Sequence, residues 1–320
     1  MTSHAKLQTA VVVNPSKVTD MEGLRRTLCD GLATAGWPAP IWLETTPEDP
    51  GEGQAREAVD KGAELVFACG GDGTVMAVVT ALAGSDVAMA VLPAGTGNLL
   101  ATNLGLTTDP AQALEVVLEG GRRRLDVGVV GDKCFAVMAG MGFDAQMLAG
   151  TSDTAKKHIG WLAYVGGAVR HLRDRPMRIR LSIDGGPVLN RRPRTVIVGN
   201  VGRLQGGVNL LSDAEPDDGL LDVAVLSPRT LRHWVSLGWS VVRRHDRVPR
   251  METWTAKKVE IRSNRPQPRQ LDGDLIDSGK TMTITVREQA LLLCVPQPEL
   301  SPDLSTGAEQ AEERAEERLP

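Results

Sequence analysis

The chain has 320 residues, of which 42% are hydrophobic and 24% charged, with a formal net charge of −4. This exceeds one small domain and suits two ordinary packed cores, and a composition near globular averages apart from its 34 glycines excludes a disordered or fibrous protein. The acidic balance excludes a dedicated nucleic-acid binder, whose footprint is a strong basic excess, so no nucleic-acid partner is expected.

Up to about residue 125, β-rich runs alternate with helical patterns. Thr9–Val13, Ile41–Glu44, Leu65–Ala68 and Val87–Leu92 read as strands, and Val18–Ala35, Gly53–Lys61 and Thr74–Leu82 as helices. This alternation predicts a Rossmann-like α/β domain, a mainly parallel sheet with helices on its faces. Ligands of such sheets bind beyond the carboxyl ends of the strands, so the loops that follow them are where a site is expected.

Beyond Leu125 strand candidates crowd together: Asp126–Val130, Cys134–Ala139, Met177–Ile183, Thr195–Gly199, Leu221–Leu226, Lys258–Ile261 and Thr281–Val286. Helical stretches near 155–173 and 229–244 interrupt them. Many short strands between turns predict a β-sandwich with inserted helices. The expected division is residues 1–125, with a returning segment 289–297, for the α/β domain and 126–288 for the sandwich. Residues 298–320 then form an acidic tail that has almost nothing to bury and reads as disordered. The net charge is unevenly spread, with nine basic and fifteen acidic side chains in residues 1–125 against 25 and 19 in residues 126–300.

Cys29, Cys69, Cys134 and Cys294 lie at least 40 residues apart and form no metal or disulfide pattern, which fits a reducing cytosol. No signal-peptide pattern opens the chain, and no apolar run reaches the ~20 residues that span a bilayer. A cytoplasmic protein is expected, with any membrane contact peripheral.

Two loops carry the chemistry. Leu65 to Cys69 runs into Gly70-Gly71-Asp72-Gly73-Thr74 and then directly into a helical pattern. Glycines between strand and helix let backbone N–H groups and a helix N-terminus approach a phosphate, with Asp72 placed to orient a metal or nucleotide hydroxyls. The alternative is a tight turn with an Asp cap. Pro93-Ala94-Gly95-Thr96-Gly97-Asn98 repeats the arrangement ahead of Leu99, and Asn14-Pro15-Ser16 follows the first strand. There is no GxxxxGK[ST], no complete GxGxxG, no HExxH and no GxSxG, which removes the common nucleotide, zinc-peptidase and hydrolase sites.

Gly-Gly-Asp-Gly-Thr after a buried strand, the Pro-x-Gly-Thr-x-Asn loop, Asn14-Pro15 and the late Leu271-Asp272-Gly273-Asp274 together resemble the diacylglycerol kinase catalytic family, which includes bacterial lipid kinases and sphingosine kinases and is distantly related to NAD kinases. The resemblance covers roughly residues 7 to 296. It implies an ATP-binding α/β domain, a β-sandwich and a cleft between them. It also implies ATP contacts at Asn14, at Thr45 or its neighbour Thr46, at Gly70, Gly71, Asp72, Gly73 and Thr74, and at Thr96. Asp274 is the implied catalytic base, where relatives often have Asp-Gly-Glu; the plain alternative is a hairpin turn, and a catalytic acid can sit on one. Glu215-Pro216-Asp217-Asp218-Gly219-Leu220 reads either as a turn or as a Mg²⁺ site held by the Asp218 side chain and the backbone oxygens of Glu215 and Leu220. Two departures stand out. Asn-Pro-Ser-Lys replaces a Gly-containing first turn, leaving Lys17 to face solvent or a phosphate, and Asn98-Leu99-Leu100-Ala101-Thr102 lacks the Asp and Arg of many relatives.

Phosphoryl transfer needs positioning, neutralisation of phosphate charge and a base for the incoming hydroxyl. The resemblance therefore implies a lipid kinase that uses Mg²⁺ and ATP, with diacylglycerol as acceptor and a place in phospholipid biosynthesis. Phosphatidylglycerol or a sphingoid lipid, a soluble NAD-like substrate, and a non-catalytic nucleotide- or lipid-binding regulator are the alternatives, and a homodimer is left open. Residues 155–180, with seven Lys or Arg against one Asp plus Trp161 and Tyr164, suit an anionic lipid surface. Residues 229–250, with six Arg against one Asp plus Trp234 and Trp239, suit it equally; both also read as core-packed helices with a solvated basic face.

Overall fold

The computed structural model describes residues 6–95, 97–142, 176–204, 208–209, 211, 214–227 and 251–296. Described residues up to Arg124, with those from Leu291 onward, form one compact unit, and those between Leu125 and Ala290 form a second.

The first unit is built on β1 (Thr9–Val13), β2 (Ile41–Glu44), β3 (Leu65–Gly70) and β4 (Ala88–Pro93). They lie in the order β2-β1-β3-β4, every pair parallel, and Leu292 and Leu293 add a further parallel stretch beside β4. Between them run α1 (Met21–Thr34), α2 (Glu52–Asp60), α3 (Asp72–Leu82), α4 (Leu99–Asn103) and α5 (Pro110–Glu119). β1, β3 and β4 are buried along their whole length, as expected for a sheet covered on both faces. Leu24, Leu28 and Leu32 form one stripe of α1 and join Val11, Phe67, Leu92 and Leu114 in a single core cluster.

Several boundaries differ from expectation for local reasons. α1 starts at Met21 rather than Val18 because the Asp20 carboxylate caps it, accepting from Gly23 N at 2.8 Å. α3 starts at Asp72, two residues early, because β3 runs on to Gly70 and Gly71 is the cap. α5 was not expected, although Asp109 as N-cap, Pro110 at the first turn and the left-handed Gly120 at its end are all helix signals.

In the second unit the sheet runs β14 (Met251–Ala256), β13 (Leu221–Leu226), β10 (Thr195–Gly199), β7 (Met138–Gly142), then the far end of β15 (Lys258–Leu271). The near end of β15 lies between β8 (Ile179–Ile183), which pairs with β9 (Leu189–Arg191), and β16 (Asp274–Cys294); β16 also pairs with β5 (Arg122–Val130), and β5 with β6 (Lys133–Phe135). β11 (Arg203–Leu204) and β12 (Val208–Asn209) make a small separate ribbon. β15 thus serves both layers of the sandwich, bending at register shifts between Arg262, Gln267 and Arg269. Pro266 and Pro268 fall at this irregularity, where a missing N–H is tolerated, which is why a strand expected to stop at Ile261 continues to Leu271. The expected strand Cys134–Ala139 is split in two, since the N–H groups of Ala136 and Val137 turn away to a carboxylate. The stretches near 155–173 and 229–244 and the acidic tail lie outside the described residues.

Candidate active site

Because β2, β1, β3 and β4 are adjacent and parallel, the loops leaving them emerge along one edge: Thr45, Asn14, Gly70-Gly71 and Ala94-Gly95. At about 4.8 Å per strand this row extends over about 14 Å. The chain steps from β1 to β2 on one side and to β3 on the other, so the β1/β3 edge is the switch point where open α/β sheets bind ligands.

Hydrogen bonds tie the row together. Thr45 N donates to Val13 O at 2.9 Å, Asn14 N to Cys69 O at 2.8 Å, and Ala94 N to Gly70 O at 2.8 Å. The Asn14 amide reaches the Thr74 hydroxyl at 3.5 Å, while its oxygen accepts from the Ser16 backbone and side chain. Thr45 and Thr74 are buried. Gly71 caps α3 without any side-chain hydrogen bond, leaving the helix N-terminus to the loop. A Cβ on Gly95 would sit 2.6 Å from the Gly71 Cα, and one on Gly70 would sit 2.7 Å from Thr74. Glycine is thus required at Gly95 by the contact of two loops and at Gly70 by the close approach of Thr74 within its own loop.

Asp72 is engaged by the neighbouring loop. Its two carboxylate oxygens accept the N–H groups of Asn98 at 3.0 Å and Leu99 at 2.6 Å, so it caps α4 from the neighbouring loop. Asn98 adopts φ 46° and closes its own loop, accepting from Gly95 N and donating to Gly95 O. Thr96, expected between them, lies outside the described residues.

In the second unit, Leu271 and Asp274 pair across a two-residue turn in which Asp272 has φ 46° and Gly273 φ 93°, the pair of positive angles of a type I′ hairpin. Asp274 follows it, partly exposed. Asp272 is buried, and its carboxylate accepts the N–H groups of Ala136 at 2.9 Å, Val137 at 2.9 Å and Met138 at 2.8 Å.

The acidic loop is anchored by Asp126, fully buried on β5. Its N–H donates to Pro216 O, and its carboxylate accepts from Gly219 N at 2.6 Å and Gln289 N at 2.7 Å. Burial raises the Asp126 carboxyl above the ordinary carboxylate range despite those two hydrogen bonds, with Asp217 and Glu288 adding like charge. Desolvation likewise raises Asp218, against its bond from Leu220 N, and Asp126, Glu215 and Asp217 raise it further. Lys257 answers Glu288 at 2.6 Å. Among the described residues no group of three His, Cys, Asp or Glu side chains is arranged to hold a metal by itself. A cation at this loop would depend on Asp218 with backbone oxygens of Glu215 and Leu220, and an all-oxygen set amid excess negative charge fits a hard divalent ion.

Asn14, Thr45 and Gly70 to Thr74 are therefore brought to one edge of the first unit, while Asp274 and the Glu215–Leu220 loop belong to the second. Asp126, Asp272 and Asn200 carry structure that the motifs do not announce; for Asp126 the available signal was an Asp inside an otherwise apolar strand.

The diacylglycerol kinase catalytic domain matches residues 8–130, and the YegS C-terminal NAD kinase β-sandwich-like domain matches residues 136–295. A Pseudomonas fluorescens protein named probable lipid kinase YegS-like is 31% identical over 283 residues, 85% of this chain and 90% of that one. A Mycobacterium tuberculosis protein named diacylglycerol kinase is 29% identical over 211 residues, 64% of this chain and 68% of that one. Among solved structures, a diacylglycerol kinase from Bacillus anthracis superposes with a TM-score of 0.70 at 19% identity, covering 93% of this chain and all of the other. An NAD kinase from Archaeoglobus fulgidus in complex with ATP superposes at 0.54 and 14% identity, over 91% of this chain and 95% of the other. The two structural likenesses establish a shared fold.

Proposed function

The chain belongs to the diacylglycerol kinase catalytic-domain family, in its YegS-like lipid kinase branch, and from that premise we propose that it transfers the γ-phosphate of ATP to the free hydroxyl of diacylglycerol, giving phosphatidic acid. The observation that carries this reading is the row of Asn14, Thr45 and Gly70 to Thr74 along the carboxyl edge of parallel strands, with its glycine contacts and a start of α3 capped by Gly71 without a side-chain hydrogen bond. Such an edge holds a polyphosphate through backbone N–H groups, which suits a unit whose own side chains are predominantly acidic.

In this reading Asp274 accepts the proton of the lipid hydroxyl as its oxygen attacks the γ-phosphorus and the bond to the bridging oxygen of ADP breaks. Mg²⁺ bound with ATP would neutralise charge on the phosphate oxygens, and Asp218 with the Glu215 and Leu220 carbonyls would hold a structural ion. Asp72 acts by fixing the Asn98 loop against the glycine loop. The protein works as a peripheral enzyme on the cytoplasmic face of an anionic membrane; no helix among the described residues is long and apolar enough to cross one.

The test is incubation of the purified protein with Mg·ATP and a total lipid extract, with products identified by mass spectrometry beside an Asp274→Asn control. Phosphatidic acid formed by the parent protein and reduced at least 100-fold in the control is the expected outcome, about 10²–10⁴ being the usual contribution of a general base. Phosphorylation of soluble acceptors only would sink the lipid reading, and equal activity of the control would remove Asp274 from the chemistry.

A further inference from the structure

We infer that Asp272, together with Asn200, is a positioning residue for Asp274: it clamps the backbone of residues 136–138 and thereby fixes the turn that carries the base. The inference rests on Asp274 being that base.

A type I′ turn asks only for positive φ at its two central residues, which Asn-Gly supplies as well as Asp-Gly and without a charge. Here the first residue is an aspartate with 6% of its surface exposed, and a buried carboxylate is costly unless hydrogen-bonded. Three N–H groups, from Ala136, Val137 and Met138, converge on it within 2.9 Å, and its own N–H donates to Met138 O at 2.8 Å. That is far more than the turn needs. The charge is kept for the segment it grips, about 135 residues away in sequence.

That segment is shaped to be gripped. β6 ends at Phe135 and β7 begins at Met138, so Ala136 and Val137 lie outside any strand and offer their N–H groups to Asp272. Their carbonyls are taken from elsewhere: Asn200, 1% exposed, donates its N–H to Val137 O at 2.8 Å and its amide to Ala136 O at 3.1 Å and Asp126 O at 2.8 Å. Both edges of the two-residue break are engaged, the N–H edge by the Asp272 carboxylate and the carbonyl edge by the backbone N–H and side-chain amide of Asn200. On the far side of the turn, Gly273 N donates to the Gln270 side chain at 2.8 Å. With its oxygens accepting from backbone donors, Asp272 fixes the backbone and takes no part in proton transfer, which falls to Asp274 two residues on.

Asp272→Asn preserves size and turn preference while replacing one acceptor oxygen with a donor. Because a displacement of about 1 Å costs up to about 100-fold in rate, kcat for lipid phosphorylation is expected to fall 10- to 100-fold with KM for ATP unchanged. The acid limb of the kcat–pH profile should move as well, which a simple loss of stability would not cause. Amide hydrogen exchange should quicken at 136–138 and 273–275 and stay unaltered in the first unit. Asn200→Ala should give the same pattern more weakly, and it stands in if Asp272→Asn does not fold. A kcat within twofold of the parent despite faster exchange would overturn the inference, and so would unchanged exchange. If the parent protein fails to phosphorylate any lipid, the kinase reading is what has failed; the clamp is then decided by exchange alone, with unchanged protection at 136–138 rejecting it.

Discussion

Asp72, which the resemblance places at the nucleotide, also holds the neighbouring loop. Its oxygens accept from Asn98 and Leu99, 26 and 27 residues further on. No pattern local to Gly70–Thr74 announces those partners, because the contact exists only once β3 and β4 lie side by side. Asp72→Ala leaves both N–H groups without acceptors, and each such loss costs about 1–3 kcal/mol where the group is buried. The expected result is a lower urea midpoint together with a several-fold rise in KM for ATP and little change in KM for lipid; an unaltered KM for ATP would show that the second loop does not depend on this cap for nucleotide binding. Asp274 shows the opposite case. Its turn was readable from Asp-Gly alone and its candidacy as a base followed from the family resemblance, whereas the burial of Asp272 was legible in neither, since the donors it meets lie on β7 and the break before it.

The four parallel strands and the helices α1 to α3 followed from periodicity, and their ends shifted by at most three residues, with Asp20 and Gly71 setting the starts of α1 and α3. β15 and β16 were far harder to read. Pro266 and Pro268 and the Asp277-Ser278-Gly279-Lys280 stretch look like loop, yet the antiparallel ladder continues through them by shifting register. The contact between the two glycine loops belongs to this scale too. A methyl group on Gly95 would meet the Gly71 backbone, which cannot swing aside as a side chain can. Gly95→Ala is therefore expected to cost about 1–3 kcal/mol in urea unfolding, the usual range for overpacking, and to weaken ATP binding without affecting association with lipid vesicles. Retained stability and KM would mean the loops separate freely.

For the molecule as a whole, the net charge of −4 conceals the 25 basic against 19 acidic side chains of residues 126–300. On the exposed face of β8 and β15, Arg180 stands directly opposite Arg262, with the exposed Arg178 two residues along. Like charges so placed repel, and a surface of phosphates relieves that repulsion. Sedimentation with anionic vesicles is expected at low salt and should be lost near 1 M, where the Debye length is about 3 Å; equal binding to neutral vesicles would reject an electrostatic contact. The basic, Trp-bearing stretches at 155–180 and 229–250 lie mostly outside the described residues. By itself the sequence determined the alternation of strands and helices, the glycine loops and the Asp-Gly turn, because each depends on residues close together in the chain. Only the tertiary structure decided that Asp72 caps a neighbouring loop, that Asp126 anchors the acidic loop and that Asp272 grips residues 136–138, because those bonds join backbone groups that come together only after the sheets have formed.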